Sequence, residues 1–317
     1  MTATIRVAAI GECMLELSDP AAAPPVLSFG GDTLNTAVYL ARRLAGRGQV
    51  DYLTALGDDP YSERLVAAWR DEGIGTGLVA RLPGRLPGLY VIRTDDAGER
   101  SFYYWRSASA ARAMLTGESG RRICAALPGY DLIYLSGITL SILPPAARRR
   151  LLAAVEAARA GGARIAFDVN YRPRGWRSAA AARGEIDRLL ARCDIALPGH
   201  DDLAALYGIA SLEAGARYLG GLEIAEICVK GGAGDCLLCH DGGRWRLPAQ
   251  TGVVAVDTTA AGDSFNAAYL AARLLGRPPA QAVAAGHRLA AVVVQHRGAI
   301  IDRAHMPAAA DEEEPHP

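Results

Sequence analysis

Lysine is almost missing from this chain. Of the 34 basic residues among 317, one is a lysine, Lys230, and arginine carries every other basic position. Arginine serves wherever a positive charge only solvates the surface. The exception therefore marks a position that needs a compact ammonium in place of a planar guanidinium, or is a lysine left by chance. Net charge is missing as well: 34 acidic residues balance the basic ones, so nothing global favours nucleic acid or an anionic membrane. No apolar run approaches a membrane span. The short one at 7–10 leads into Gly11-Glu12 without a signal-peptide layout, which predicts a cytoplasmic protein with no membrane partner. The six cysteines, at 13, 124, 193, 228, 236 and 239, are scattered among apolar neighbours and suit reduced, packed thiols better than a disulfide framework. Cys236-Leu237-Leu238-Cys239-His240 matches the formal haem-attachment signature, but it falls in a strand-like run, and a buried strand is the better reading. Repeats at solenoid periods are also absent.

What is present is a core. Half of the residues are hydrophobic, enough at this length for one large domain with a small appendage. Residues 5–11 read as a strand, Asp32 or Thr33 as the cap of a helix through 44, 50–56 as a strand and 61–72 as a helix. The pattern recurs with strands at 131–135, 164–169, 195–197 and 226–230. Helices follow Pro144-Pro145 and span 180–192 and 201–207. This alternation predicts an α/β fold with a mainly parallel sheet, helices on both faces and ligands at the carboxyl ends of the strands. One region breaks the rhythm. Runs at 88–94 and 99–106, joined by the turn signal Asp95-Asp96-Ala97-Gly98, read as a hairpin with Phe102, Tyr104 and Arg106 on one face and Tyr103 and Trp105 on the other. With 12–17 as a partner strand, these pieces read as a small lid. The acidic tail at 311–317 is predicted to be disordered.

The segment Val256-Asp257-Thr258-Thr259-Ala260-Ala261-Gly262-Asp263-Ser264-Phe265 places small residues and a carboxylate where a loop enters a helix. The amides of Ala260, Ala261 and Gly262 can hold an anion there. A carboxylate beside that anion suits proton acceptance from an attacking hydroxyl, although a capping aspartate accounts for Asp263 equally well. Gly30-Gly31-Asp32-Thr33-Leu34-Asn35 offers fixed polar groups to a polyhydroxy compound, while a cap alone would explain Asp32. Tyr90, Tyr104 and Arg106 suit a sugar or an organic carboxylate, or a packed hairpin. Asp168-Val169-Asn170-Tyr171-Arg172-Pro173-Arg174 at a strand end suits an anion site, with simple surface charge as the alternative. Lys230-Gly231-Gly232-Ala233-Gly234 lets backbone approach a phosphate, yet it lacks P-loop spacing, and no dinucleotide fingerprint follows the first strand.

Together these residues resemble the ribokinase-like (PfkB) family of carbohydrate kinases. Its two signatures correspond to Gly30-Gly31-Asp32 and to Asp257-Thr258-Thr259-Ala260-Ala261-Gly262-Asp263. Within the family the chain looks closest to the branch acting on 2-keto-3-deoxygluconate, through Gly11 to Leu17, Gly30 to Asn35, Arg85 to Tyr90, Gly98 to Arg106, Asn170 to Pro173 and Arg297 to Ile301. The resemblance implies a ribokinase-like three-layer sandwich over 1–310, with lid pieces at about 12–31 and 85–110. It further implies transfer of phosphate from ATP with Mg²⁺ to a sugar acid. The aromatic hairpin with two apolar faces, in turn, favours a homo-oligomer. Asp263 maps onto the catalytic base, and the amides of Ala260, Ala261 and Gly262 onto the anion hole. Substrate contacts fall on Gly31, Asp32, Asn35, Tyr90, Tyr104, Arg106, Arg172, Asp257 and Asp263. Nucleotide contacts fall on Asn170, Arg172, Lys230, Gly232, Gly234 and the anion-hole loop. A fructokinase-like neutral-sugar kinase and a non-catalytic sugar or nucleotide sensor are the competing readings. Two departures matter: Ala260 replaces a signature glycine and so requires a negative φ, and Asp202 alone survives of a motif linked to magnesium. The helix dipole is expected to keep Asp263 ionised and a weak base.

Overall fold

Strand residues that are apolar on both faces can be buried only between two layers, and Val7, Ala8, Ala9 and Ile10 are of that kind. The computed structural model describes residues 4–20, 24–94 and 100–307. The turn at 95–98 and the tail at 311–317 lie outside them. The chain begins with β1 (Ile5–Ile10), β2 (Met14–Pro20), β3 (Val26–Gly30), α1 (Asp32–Leu44), β4 (Gly48–Leu53), β5 (Ala55–Leu56), α2 (Pro60–Asp71) and β6 (Ala80–Arg81). It continues with β7 (Gly88–Thr94), β8 (Arg100–Trp105), α3 (Gly117–Ala126), β9 (Leu132–Ser136), α4 (Gly137–Ile142), α5 (Pro145–Ala160), β10 (Arg164–Asp168) and α6 (Ala179–Leu190). The last third holds β11 (Ile195–Ala196), α7 (His200–Tyr207), α8 (Leu212–Gly220), β12 (Glu226–Lys230), β13 (Cys236–His240), β14 (Gly243–Leu247), α9 (Ala261–Leu274) and α10 (Pro279–Val293).

Eight strands form the main sheet in the order β14-β13-β12-β11-β10-β9-β1-β4. Six are parallel, and β13 and β14 add an antiparallel edge. Side chains alternate between two cores, as the pleat demands. Ile10, Leu135, Phe167 and Val229 face one side with Leu151, Ile186 and Leu203. Val7, Tyr134, Ala166 and Cys228 face the other with Leu40, Tyr269 and Val283. Helices on both faces of a mainly parallel sheet make the three-layer α/β sandwich expected from the alternation. A second sheet, β3-β2-β7-β8, carries the anticipated hairpin, with β2 parallel to β7. Cys236 and Cys239 point to opposite faces of β13 and into different cores, which rules out a shared haem attachment. All six cysteines are free. Among the described residues, no helix is long and apolar enough to cross a membrane.

The helix α4 is not anticipated from sequence. Its residues are poor helix formers, and a reciprocal cap between Ser136 and Thr139 starts it. Two helix starts also correct the sequence reading. Asp32 is the first residue of α1, not its cap; the cap is Gly31, without a side-chain bond. Ala260, expected at negative φ, caps α9 at φ 60 and ψ 16, in the left-handed region. The tight entry of the loop into α9 forces this conformation on a residue whose Cβ resists it. That strain costs about 1–2 kcal/mol, partly offset because glycine would lose roughly 0.5–1 kcal/mol more backbone entropy on folding. Ala260→Gly is therefore expected to stabilise the fold by about 0.5–1 kcal/mol in denaturant unfolding, and a loss of stability would contradict the strain.

Candidate active site

Four strands deliver polar residues to one edge of the main sheet. β1 leads into Gly11-Glu12, while β9, β10 and β12 end on Ser136, Asp168 and Lys230. The starts of α1 and α9 lie over the same edge, because Asn35 Nδ2 donates to Asp263 Oδ2 at 2.8 Å. In open parallel sheets this is where ligands collect.

Lys230 organises the buried part. Its Nζ donates to Asp168 Oδ2 and to Asn266 Oδ1, each at 2.8 Å. Asn266 in turn donates from Nδ2 to Asp168 at 2.7 Å and to the Tyr134 hydroxyl at 3.1 Å. A charge taken out of water must be paired and hydrogen-bonded, and this ammonium is both. Its side of the site also meets the α9 start: a methyl group placed at Gly262 would lie 3.5 Å from Lys230 Nζ. The second carboxylate, Asp32, accepts from Ser136 Oγ and from Asn170 Nδ2, the latter at 2.7 Å. Asn170 holds that amide in place at φ 32, a left-handed conformation that asparagine tolerates better than most residues.

Asp263 is the third carboxylate. Burial pushes its pKa up to about 7, and the neighbouring charges of Asp32 and Asp168 add to the rise while the Asn35 amide and Lys230 oppose it. The expectation that the helix dipole keeps it fully ionised is thus corrected. Burial also raises Asp32, against the bonds from Ser136 and Asn170. Asp202 rises to about 6, mainly through burial and then through Asp168, with Arg172 opposing.

The remaining expected residues fall in four places. Tyr90, Tyr104 and Arg106 line the second sheet, with Tyr90 and Tyr104 stacked at 5.9 Å. Tyr90 donates its hydroxyl to Glu16, and Arg106 pairs with Glu12. Gly30 and Gly31 fit tightly under this group: a Cβ at Gly31 would stand 2.2 Å from the Glu12 carbonyl oxygen. Arg172 donates to Asp202 at 2.9 Å at the outer rim. Gly232 at φ 66 and Gly234 shape the loop after β12. Asp257 is committed to loop structure, accepting from Thr259 N at 3.0 Å and Gly298 N at 3.0 Å. The Ala261 amide donates to the Thr258 carbonyl at 3.2 Å, at the turn that leads into α9. Sequence reasoning gave no role to Glu12, Glu16, Ser136 and Asn266, and named Asp168 only as the head of the strand-end cluster at 168–174. Asn266 has a readable signal, since it lies three residues after Asp263 on one helix face.

The arrangement can take up polyphosphate. The α9 start offers backbone amides, Lys230 a nearby cation and Arg172 an exposed one, and Val254 and Val256 leave apolar surface beside that loop. Among the described residues no three acidic, histidine or cysteine side chains could together hold a metal ion.

Known proteins share this layout. The pfkB family carbohydrate kinase pattern matches residues 4–305. The chain is 45% identical over 310 residues to the 2-dehydro-3-deoxygluconokinase of Escherichia coli K12, covering 96% of this chain and 99% of the relative. It is 45% identical over 312 residues to the enzyme of the same name from Dickeya dadantii, with the same coverage of 96% and 99%. A crystal structure of a PfkB protein from Polaromonas sp. JS666 superposes with a TM-score of 0.81 at 26% identity, over 98% of this chain and 99% of that one. With the family pattern spanning both sheets and the site between them, the chain belongs to the pfkB family of carbohydrate kinases.

Proposed function

We propose that the protein transfers the γ-phosphoryl group of ATP to the C6 hydroxyl of 2-keto-3-deoxygluconate, also called 2-dehydro-3-deoxygluconate. Near full-length similarity to enzymes of that name supports the substrate. The observation that carries the mechanism is the placing of Asp263, a half-buried carboxylate in the first turn of α9, bonded to Asn35 and pushed up to about 7 by desolvation and by the charges of Asp32 and Asp168. A base with that proton affinity can both accept the hydroxyl proton and stay mostly ionised above neutrality.

In this reading Asn35 holds Asp263 Oδ2, and Oδ1 receives the C6 hydroxyl proton. The amides of Ala260 and Gly262, with Lys230 behind Gly262, face the charge that builds on the transferring group. Asp32 and Asn170, locked to one another, hold substrate hydroxyls and the nucleotide side respectively. Gly31, Tyr90 and Tyr104 wall the sugar, and Arg106 takes its carboxylate. Arg172, Gly232 and Gly234 border the nucleotide, and the Ala261 and Asp257 contacts keep the loop between them in shape. Asp202 would offer a carboxylate to the water shell of Mg²⁺, which when bound with the triphosphate would supply neutralisation of phosphate charge. We further propose that 1–310 form one kinase domain, in which the pieces at about 12–31 and 85–110 act as a lid. On β8, Phe102, Tyr103 and Trp105 are exposed, a surface suited to a second copy of the chain. With free thiols and ATP as co-substrate, the cytoplasm is its setting.

A coupled assay of ADP release across sugar acids and neutral sugars tests the substrate. Ketodeoxygluconate is expected to be turned over in preference to fructose, and Arg106→Ala to raise KM for the acid roughly 10–100-fold, the worth of a charged hydrogen-bonded contact. Preference for fructose, or equal effects of Arg106→Ala on both, would contradict an acid substrate.

Asp263→Asn is expected to lower turnover about 100-fold or more with little change in KM. The same variant reports on stability. Because the folded pKa of about 7 lies above the ordinary 3.8, the folded state keeps a proton that the unfolded chain has already released. The stability this proton contributes is complete below the ordinary value and is lost as pH rises through the folded one. Asp263→Asn should therefore gain melting temperature relative to the parent at pH 8 and much less at pH 4. A near-normal turnover number would remove Asp263 from the mechanism.

A further inference from the structure

Glu12 is the one carboxylate at this edge with no assigned task. It follows β1 by two residues and so belongs to the main sheet, whereas its partner Arg106 follows β8 in the second sheet. The Glu12 side chain is fully buried, at 0% exposure, and that of Arg106 is 24% exposed. Arg106 Nε donates to Glu12 Oε2 at 2.8 Å, and Nη2 reaches the same oxygen. Glu12 Oε1 is buried and has no hydrogen-bond partner among the described residues. A pair kept only for packing would engage both oxygens, fork to fork. Here the two donors, Nε and Nη2, converge on one oxygen, and Nη1 takes no part in the pair. Unsatisfied buried oxygens are rare enough to ask for a functional cause.

The surroundings point the same way. A Cβ on Gly88 would stand 3.0 Å from Glu12 Oε1, 3.2 Å from Arg106 Cβ and 2.9 Å from Met14 Cγ. A Cβ on Gly30 would stand 2.8 Å from the Tyr90 hydroxyl and 3.8 Å from Glu16 Oε2. Glycines thus clear the space in which the two sheets meet, and the Glu12 carbonyl lies directly under Gly31, the cap of the helix that presents Asp32 and Asn35.

We propose that Glu12 is a positioning residue that fixes Arg106 relative to the main sheet, and thereby sets the separation between the site of the substrate's carboxylate and the site where its hydroxyl reacts. This rests on the acid-kinase reading above. A sugar acid carries its carboxylate and its reacting hydroxyl a fixed number of carbons apart, so an arginine that moved freely with the second sheet would bind the carboxylate without registering the hydroxyl against Asp263. Tied to Glu12, the arginine selects an acid of the right length.

The test is a double-mutant cycle on the full-length enzyme, read as separate KM and kcat values for ketodeoxygluconate. Glu12→Gln keeps the shape and removes the charge that holds the fork. It is expected to raise KM for the acid roughly ten-fold, with kcat changed less than about three-fold, and to add nothing when Arg106 is already alanine. A KM penalty that persists in the Arg106→Ala background, or an unchanged KM in the single variant, overturns the proposal. Should Glu12→Gln fail to fold, Glu12→Asp keeps the charge in place but withdraws it by one methylene. A several-fold rise in KM is then expected, and an unchanged KM overturns the proposal. An enzyme that does not phosphorylate the acid at all sinks the functional reading instead. If the parent and Arg106→Ala behave as expected while the Glu12 variants do not, only the present inference falls.

Discussion

The ion pair between Lys230 and Asp168, with Asn266 bonded to both, sets the electrostatics of the whole site. Three carboxylates, the buried Asp168 and the half-buried Asp32 and Asp263, share one sheet edge with a single buried ammonium. One cation cannot neutralise three anions. Asp168 takes the direct bond and Asp32 is satisfied by neutral donors, while desolvation first, and the charges of Asp32 and Asp168 after it, raise the proton affinity of Asp263. Removing one member of a buried pair costs about 3–5 kcal/mol, because the other is left unpaired. A compact ammonium bonding two partners in so small a space also gives a reason why the sole lysine stands here in an arginine-rich chain.

The same economy of charge recurs at the second sheet. Glu12 and Glu16, on the β1–β2 segment, accept hydrogen bonds from Arg106 and Tyr90, so both of these groups are oriented by buried carboxylates. In the proposed reading the main sheet supplies the phosphoryl-transfer groups and the second sheet the acid-recognition groups. The glycines at 30, 31 and 88 let the two layers approach. Helices α1 and α9, starting at Gly31 and Ala260 without side-chain caps, keep their first turns available at this junction.

Much of this is legible in the sequence because the groups stand at punctuation points. Lys230 and Asn170 follow strand-length runs, and Asp32 and Asp263 open helices, so local pattern alone locates them. Ser136 and Glu12 escape that reading because their roles depend on which strands are neighbours. β1 lies between β9 and β4, and periodicity does not encode that order. The ionisation of Asp263 escapes for a different reason. A helix start favours the anion by about 0.3–2 kcal/mol, whereas full burial can shift a carboxyl by up to 3–5 pKa units, roughly 4–7 kcal/mol. Only the fold reveals that the larger effect applies. The left-handed Ala260 shows the converse, a local preference overruled by the path of the loop into α9.

The central claim is that burial beside Asp32 and Asp168 turns Asp263 into a base that titrates near neutrality. The most direct measurement is the pH dependence of kcat/KM for ketodeoxygluconate, which reports the free enzyme. On this account the rate falls ten-fold per pH unit below an apparent pKa of about 7. A profile that stays flat from pH 8 down to pH 5 would show Asp263 ionised throughout and contradict the account.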